Sequence, residues 1–128
     1  MAKVAVVTGG TRGIGRAIAE DLSRDHQVAI TWNTTPPEGL SDEMIDVQAD
    51  LGRPGTPQRV IDEVIRRFGR LDVIVNNAGI IRQSPKEHFA IDEASEILSV
   101  NLLAPSALLS AALPHLGEGA AIVNIWKV

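Results

Sequence analysis

The stretch from Val4 to Gly15, VAVVTGGTRGIG, constrains the fold of this chain more than any other part of the sequence. Its first residues form a short run of apolar, mostly β-branched side chains, which favours a buried strand. A glycine-dense loop follows, and beyond it apolar residues recur at helical spacing at Ile14, Ala17, Ile18 and Leu22. The stretch therefore predicts a strand, a tight turn and a helix that buries those four residues.

The glycine loop is suited to a diphosphate group, which needs backbone N–H donors, no Cβ atoms in its way and a helix N-terminus behind it. Gly9 would let the chain turn off the strand, Gly13 would let the backbone approach the phosphates, and Gly15 would let the helix pack closely. The spacing is Gly-x3-Gly-x-Gly, not the GxGxxG of the standard dinucleotide fingerprint. Taken alone, the loop also fits a tight strand-to-helix connection that binds nothing, which is the less favoured of the two interpretations.

Length and charge restrict the classes of protein to consider. The 128 residues are enough for one domain with a real core, and the net charge of −4 argues against nucleic acid or an anionic membrane as partner. The histidines His26, His88 and His115 have no neighbours at metal-ligand spacing, so we expect no metal site.

Segments for export or membrane insertion are not expected. The first strand begins directly after Lys3, which leaves no room for a signal peptide, and no apolar run approaches the roughly 20 residues of a membrane span. Cysteine is absent, which fits a reducing cytoplasm. We therefore expect a soluble, cytoplasmic protein.

Strand and helix patterns alternate along the rest of the chain. The predicted helices are 14–22, 57–68 and 91–113, and the predicted strands are 3–8, 28–32, 45–49, 72–76 and 120–125. Thr56 is the expected N-cap of the second helix, with Gly69 as its C-cap. Two prolines, Pro36 and Pro37, exclude a regular helix between the second and third strands, and a polar segment at 82–88 leads into the last helix. The alternation predicts a parallel sheet covered on both faces.

Two further motifs accompany the loop: Asn76-Asn77-Ala78-Gly79 after a predicted strand, and Asn101 in an apolar helix. With the Thr8–Gly15 motif, they resemble the short-chain dehydrogenase/reductase family, and most of all its 3-ketoacyl-carrier-protein reductases. The resemblance implies an α/β Rossmann-type doubly wound parallel sheet of five strands in the order 3-2-1-4-5, without the family's C-terminal strands. It also implies that residues 1–128 are a single NAD(P)-binding domain of an NAD(P)-dependent oxidoreductase that transfers hydride to or from a carbonyl or alcohol carbon.

The resemblance also identifies candidate cofactor-binding residues, namely Gly9, Thr11, Arg12, Gly13, Ile14, Gly15, Asn33, Asp50, Leu51, Asn77, Ala78 and Gly79. Asp50 would accept a hydrogen bond from the adenine amine, or would only cap its own loop. Asn77 and its neighbours would brace strand ends, leave space for the nicotinamide ribose, or do both.

The choice between NAD and NADP depends on the end of the second strand, where an acid would bind the ribose 2′-hydroxyl of NAD. The residues there, Trp32-Asn33-Thr34-Thr35, include no acid. Arg12 is the residue type that pairs with a 2′-phosphate through forked hydrogen bonds, although it also fits an exposed loop cation without a fixed partner. We therefore expect NADP, with NAD less favoured.

Asn101 is the one catalytic residue of the family that this sequence retains. Because Pro105 has no N–H, the carbonyl of Asn101 loses its normal helical partner, and in the family the matching carbonyl holds a water that relays protons to a catalytic lysine. A kinked helix with a tolerated Asn is the alternative. The chain contains no tyrosine, and Trp126 and Lys127 stand where the family usually has two serines. We therefore expect a chain truncated before the catalytic Tyr and Lys, which binds cofactor but is inactive alone.

The same missing strands would affect the surface. The fifth strand would become an exposed apolar edge, and the long helix would leave Leu102, Leu103, Leu108 and Leu109 uncovered. We expect a homo-oligomer formed through this edge and this helix, and a small carbonyl or alcohol substrate only if further residues complete the site. The alternative function is a non-catalytic scaffold or interaction module derived from the same fold.

Overall fold

A five-stranded parallel sheet forms the centre of the computed structural model, which describes residues 2–80 and 91–125. The strand order is β3-β2-β1-β4-β5, as expected. The segment at 82–88, His88, Trp126 and Lys127 lie outside the described residues. The strands are β1 (Lys3–Val7), β2 (His26–Trp32), β3 (Met44–Gln48), β4 (Val73–Asn76) and β5 (Ala121–Asn124).

Helices cover both faces of the sheet. Helix α1 (Gly13–Leu22) packs on the face that contains Val7 and Ile30, and α2 (Thr56–Phe68) packs on the opposite face. Gly69 ends α2 as predicted, and its N–H donates to the Ile65 carbonyl at 2.8 Å. The prediction of Thr56 as the N-cap is wrong. The N-cap is Gly55, which has a positive φ of 83°. The helix begins one residue later, at Thr56.

The predicted buried face of α1 is partly wrong. Gly15 and Ala19 are the buried residues of this helix, Ile18 and Leu22 are half-buried against the sheet, and Ile14 is 61% exposed. Small residues at the two buried positions let the helix approach the sheet closely, which rotates Ile14 and Ala17 away from the core.

The crossover from β2 to β3 contains no helix, as the two prolines predicted. Residues 33–43 form an irregular connection instead. Arg16 of α1 donates from Nη2 to the carbonyl of Gly39 at 3.2 Å, and Leu40 packs against the core beside α1. The connection is therefore anchored on α1 although it has no regular structure of its own.

The long helix predicted at 91–113 is present but interrupted. It consists of α3 (Ile91–Leu98), a π turn (Ser99–Leu103), α4 (Ala104–Ala112) and a 3-10 turn (Leu113–His115). Ala104 donates its N–H to the Ser99 carbonyl, one residue further back than in an α-helix, and Pro105 has no N–H to donate. The proline thus accounts for a change of hydrogen-bond register at the position of Asn101.

The prediction that Leu108 lies on the exposed face of this helix is wrong. Leu108 is 1% exposed and lies in the core against α2. Leu102 and Leu103 are 46% and 59% exposed, as expected, and Leu109 is half-buried. The stretch Ile91–His115 is long and apolar enough to cross a membrane by length and composition, contrary to our expectation. Ala104, Leu108, Ala111 and Ala112 are the residues of this stretch that pack in the core.

Asp72 joins the beginnings of β1 and β4. Its Oδ2 accepts the Val4 N–H at 2.9 Å, and Arg70 donates to both carboxylate oxygens at 2.8 and 2.7 Å. The hydrogen bond from Arg70 holds the pKa of Asp72 below its ordinary value, against a smaller opposing effect of burial. Because the folded pKa is depressed, this carboxylate stabilises the fold above the unfolded pKa, and the contribution is lost as pH falls through the folded pKa.

Replacement Asp72→Asn should therefore lower the free energy of unfolding at pH 7 by about 1–3 kcal/mol, because a charged hydrogen-bond network is broken. Urea unfolding of both proteins measures the difference, which should shrink as pH is lowered below about 4. Asp62→Asn, which changes an exposed acid on α2, is the matched control and should have little effect. A difference that stays constant with pH would contradict the role assigned to the Asp72 charge.

Candidate functional site

A cleft of about 750 Å³ lies at the carboxyl ends of β1 to β4. The strand order reverses between β1 and β4, and in open α/β sheets ligands bind in the crevice at such a switch point. The lining contains every predicted cofactor-binding residue except Gly15, namely Gly9, Thr11, Arg12, Gly13, Ile14, Asn33, Asp50, Leu51, Asn77, Ala78 and Gly79.

Glycines shape the loop that borders this cleft. Gly9 and Gly13 have φ of 65° and 59°, a region that other residues rarely adopt. A Cβ on Gly13 would meet nothing within 4 Å, so the backbone is open to a ligand there. A Cβ on Gly15 would overlap the Gly9 carbonyl and the Asn77 amide. Gly15 therefore seats α1 on the loop instead of lining the cleft.

The N-terminus of α1 lies at this cleft without a capping side chain. Arg12 is the N-cap in an extended conformation, it makes no side-chain capping bond, and the first turn contains no acid. The first intrahelical bond runs from the Arg16 N–H to the Arg12 carbonyl. The N–H groups of Gly13, Ile14 and Gly15 consequently have no partner within the helix. Together with the helix dipole, they favour an anion at this position.

Two buried threonines hold the loop in place, and the sequence analysis assigned them no role of their own. Thr8 Oγ1 accepts the N–H groups of Asn77 and Ala78 at 3.0 and 2.9 Å. Thr31 Oγ1 accepts the N–H of Gly9 at 3.1 Å. A hydroxyl at the end of an otherwise apolar strand was the available signal, since a buried polar group needs a partner.

The Asn76–Gly79 turn braces the ends of neighbouring strands, which is the structural one of its two predicted roles. Asn76 Nδ2 donates to Asn124 Oδ1 of β5 at 2.8 Å, and Asn77 Nδ2 donates to the Gly9 carbonyl at 3.1 Å. The Oδ1 atoms of Asn76 and Asn77 are buried and have no partner among residues 2–80 and 91–125. Asn77 as a residue also lines the cleft.

Asn101 clamps the backbone that follows this turn. Its Oδ1 accepts the Ile80 N–H at 2.8 Å, and its Nδ2 donates to the Ile80 carbonyl at 2.9 Å. It also lines a smaller cavity of about 180 Å³, together with Asn76 and Asn124. The side chain therefore fixes the geometry between the turn and the helix, a role that the sequence analysis missed because it considered only the Asn101 carbonyl.

Asp50 caps its own loop and also lines the cleft. Its Oδ1 accepts the Gly52 N–H at 3.1 Å, and its Oδ2 lies 3.5 Å from Nε of the exposed Arg53. The capping alternative is thus observed. The second carboxylate oxygen has only this loose, exposed ion pair, which leaves it accessible to a ligand.

Arg12 and the end of β2 lie along the same cleft. Arg12 is exposed, and no acid pairs with it in the described part of the chain. Asn33, Thr34 and Thr35 line the cleft and introduce no negative charge. Trp32, Thr34 and Thr35, which the sequence analysis placed where NAD and NADP are distinguished, line the cleft as well. The lining residues that it missed are Thr31, Ala49, Ile80, Glu96 and Val100.

Within the described ranges, no three His, Cys, Asp or Glu residues are grouped so that they could hold a metal ion.

Sequence comparison identifies relatives of this chain. An uncharacterized oxidoreductase of Methylorubrum extorquens is 35% identical across 98% of the chain and 55% of that protein. The 3-oxoacyl-[acyl-carrier-protein] reductase of Buchnera aphidicola is 34% identical across 78% of the chain and 44% of that protein. The chain thus spans about half the length of these relatives.

Structure comparison gives the same result. A blue fluorescent protein from a metagenomic library, solved with NADPH, has a TM-score of 0.88 and 30% identity over 98% of this chain and 56% of its own. A short-chain dehydrogenase of Burkholderia cenocepacia, solved with NADP, has a TM-score of 0.85 and 37% identity over 95% of this chain and 54% of its own. The family model described as short chain dehydrogenase matches residues 3–127, and the chain belongs to that family.

Proposed function

We propose that residues 1–128 form one domain that binds NADP(H) in the cleft at the N-terminus of α1. The observation that carries this proposal is the uncapped helix N-terminus behind Gly13, in a position where the backbone is open and Arg12 has no acidic partner among residues 2–80 and 91–125. Such a site favours a diphosphate. The structures solved with NADPH and NADP support the choice of ligand.

Other lining residues fit the remaining parts of a dinucleotide. Asp50 has an accessible carboxylate oxygen suited to an amine donor such as that of adenine. Asn77 Oδ1 is a buried acceptor suited to a hydroxyl. Arg12 supplies a guanidinium where a 2′-phosphate needs a partner, and residues 32–35 supply no acid to repel it.

The domain belongs to an oxidoreductase in this proposal. When bound, the nicotinamide supplies a hydride to a carbonyl carbon or removes one from an alcohol carbon. The chain's own residues hold the site: Asn101 fixes the backbone of Ile80, and Thr8 fixes Asn77 and Ala78. The general acid that protonates the carbonyl oxygen is a tyrosine in the family, and none is present among these 128 residues.

Calorimetric titration of the chain should show NADPH binding in the micromolar range and weaker NADH binding. Arg12→Ala should weaken NADPH about tenfold or more, because a charged hydrogen bond to phosphate is lost, and should leave NADH nearly unchanged. Arg24→Ala removes an exposed arginine at the far end of α1 and should change neither affinity. Absence of binding by either dinucleotide would overturn the proposal.

The same chain should not oxidise NADPH with a small ketone at an enzymatic rate, because the family's general acid is a tyrosine and these 128 residues contain none. Absorbance at the NADPH band measures the rate, with bound cofactor verified in the same sample. Steady turnover by the purified 128-residue chain would show that another group acts as the acid and would contradict this part of the proposal.

A second candidate function is an interaction module, and the apolar surface favours it. All four residues of β5 are exposed, with Ile122 and Val123 at 40% and 47%, and β5 is an end strand of the described sheet. Leu102 and Leu103 are exposed on the helical segment beside it. We propose that copies of this chain associate through β5 and this segment, because association buries apolar area and pairs an open strand edge.

Sedimentation velocity should therefore show a concentration-dependent dimer or larger species. Val123→Lys should shift the distribution towards monomer, because a charge at an apolar edge opposes pairing. Glu43→Lys, an exposed charge change next to the opposite edge strand, is the control and should not shift it. A wild-type chain that stays monomeric at all concentrations would exclude this mode of association.

A further inference from the structure

The segment that leaves β2 is held from outside the cleft. Trp32 Nε1 donates to Oδ2 of Asp46 at 2.8 Å. Gln48 Nε2 donates to the Asn33 carbonyl at 3.2 Å. Asp46 and Gln48 are residues of β3 and do not line the cleft. Trp32 and Asn33 do line the cleft.

The register of the sheet explains why these groups meet. Trp32 is paired with Gln48, and Ile30 with Asp46, so the four side chains share the face of the sheet that α1 covers further along. The irregular crossover places no helix over this corner. Polar contacts from β3 hold this corner instead of a packed helix. Arg59 Nη2 of α2 in turn donates to the Gln48 carbonyl at 2.6 Å.

The held segment is short and stiff. It runs from Asn33 through Thr34 and Thr35 to two prolines, which restrict both their own φ and the residue before them. At its far end, Arg16 holds the Gly39 carbonyl. The three exposed residues 33–35 are therefore presented to the cleft by a connection that is anchored on both sides.

We propose that Asp46 and Gln48 are positioning residues that set the preference for a 2′-phosphate over a 2′-hydroxyl. This inference rests on the proposed function. The uncapped helix N-terminus and Asp50 would meet groups that both dinucleotides share, whereas residues 33–35 and Arg12 meet the substituent that differs. Loosening the exit of β2 therefore costs affinity for NADPH and leaves affinity for NADH.

Two variants test this on the 128-residue chain. Gln48→Met keeps the length of the side chain and removes its donor, and Asp46→Ala removes the acceptor for the Trp32 indole. Each should lower the ratio of NADPH to NADH affinity about fivefold, as expected for one hydrogen bond, with NADH affinity unchanged. Asp46→Asn retains an acceptor and should restore the ratio to the wild-type value or above it, since it also removes a negative charge.

Gln58→Met is the matched control, because it removes an exposed glutamine donor that bonds only Asp62 on α2. In a Trp126→Phe background, the emission of Trp32 reports its surroundings, and Asp46→Ala should increase its quenching by acrylamide. A change in stability without a change in the affinity ratio would show that the contacts are merely structural and would overturn the inference.

The outcomes separate the two proposals. If the wild-type chain binds no NADPH, the proposed function fails and this inference fails with it. If the wild-type chain prefers NADPH and Gln48→Met has the same preference, only the inference fails. Because Gln48 is exposed on an edge strand, its replacement leaves the fold intact, and the result does not depend on the Asp46 variants.

Discussion

The site depends on the close packing of the glycine loop against the turn that follows β4. Thr8 accepts hydrogen bonds from two N–H groups of the turn, and Asn77 of the turn donates to the Gly9 carbonyl. Gly15 lies so close to Gly9 and Asn77 that a Cβ on it would overlap both. These contacts join the ends of β1 and β4 at the point where the strand order reverses. The free N–H groups of α1 face a cleft only because the loop is held there.

Local patterns in the sequence were sufficient to predict the strands and the glycine loop, whereas most of the cleft lining was predicted from the family resemblance. Parallel strands buried on both faces require long apolar runs, and glycine is required where φ is positive, so both leave signals in neighbouring residues. The strand order came from family resemblance, since no local pattern encodes which strand lies next to which. Thr31 shows the limit: its partner Gly9 lies in a different element, and nothing near Thr31 in sequence indicates that contact.

The errors have a common cause, which is that burial on a helix is decided by what packs against it. Ile14 is apolar and correctly spaced, but α1 approaches the sheet through Gly15 and Ala19, which turns Ile14 outward. Leu108 was predicted to be uncovered because apolar residues occur on all sides of its helix, so the sequence does not indicate which side is buried. Only the position of α2 determines that Leu108 is the buried one.

The two edges of the sheet differ in chemistry, and the difference follows from what each edge contacts. β3 presents Asp46 and Gln48, polar side chains that discourage pairing with another strand and that hold the exit of β2. β5 presents Ile122 and Val123, two exposed apolar side chains whose burial would lower the free energy of the protein. On β3, the Asp46 carboxylate and the Gln48 amide bond Trp32 and Asn33 at the end of β2, so these two polar side chains have partners within the protein. On β5, Asn124 accepts a hydrogen bond from Asn76, whereas Ile122 and Val123 leave apolar area exposed that the proposed association would bury.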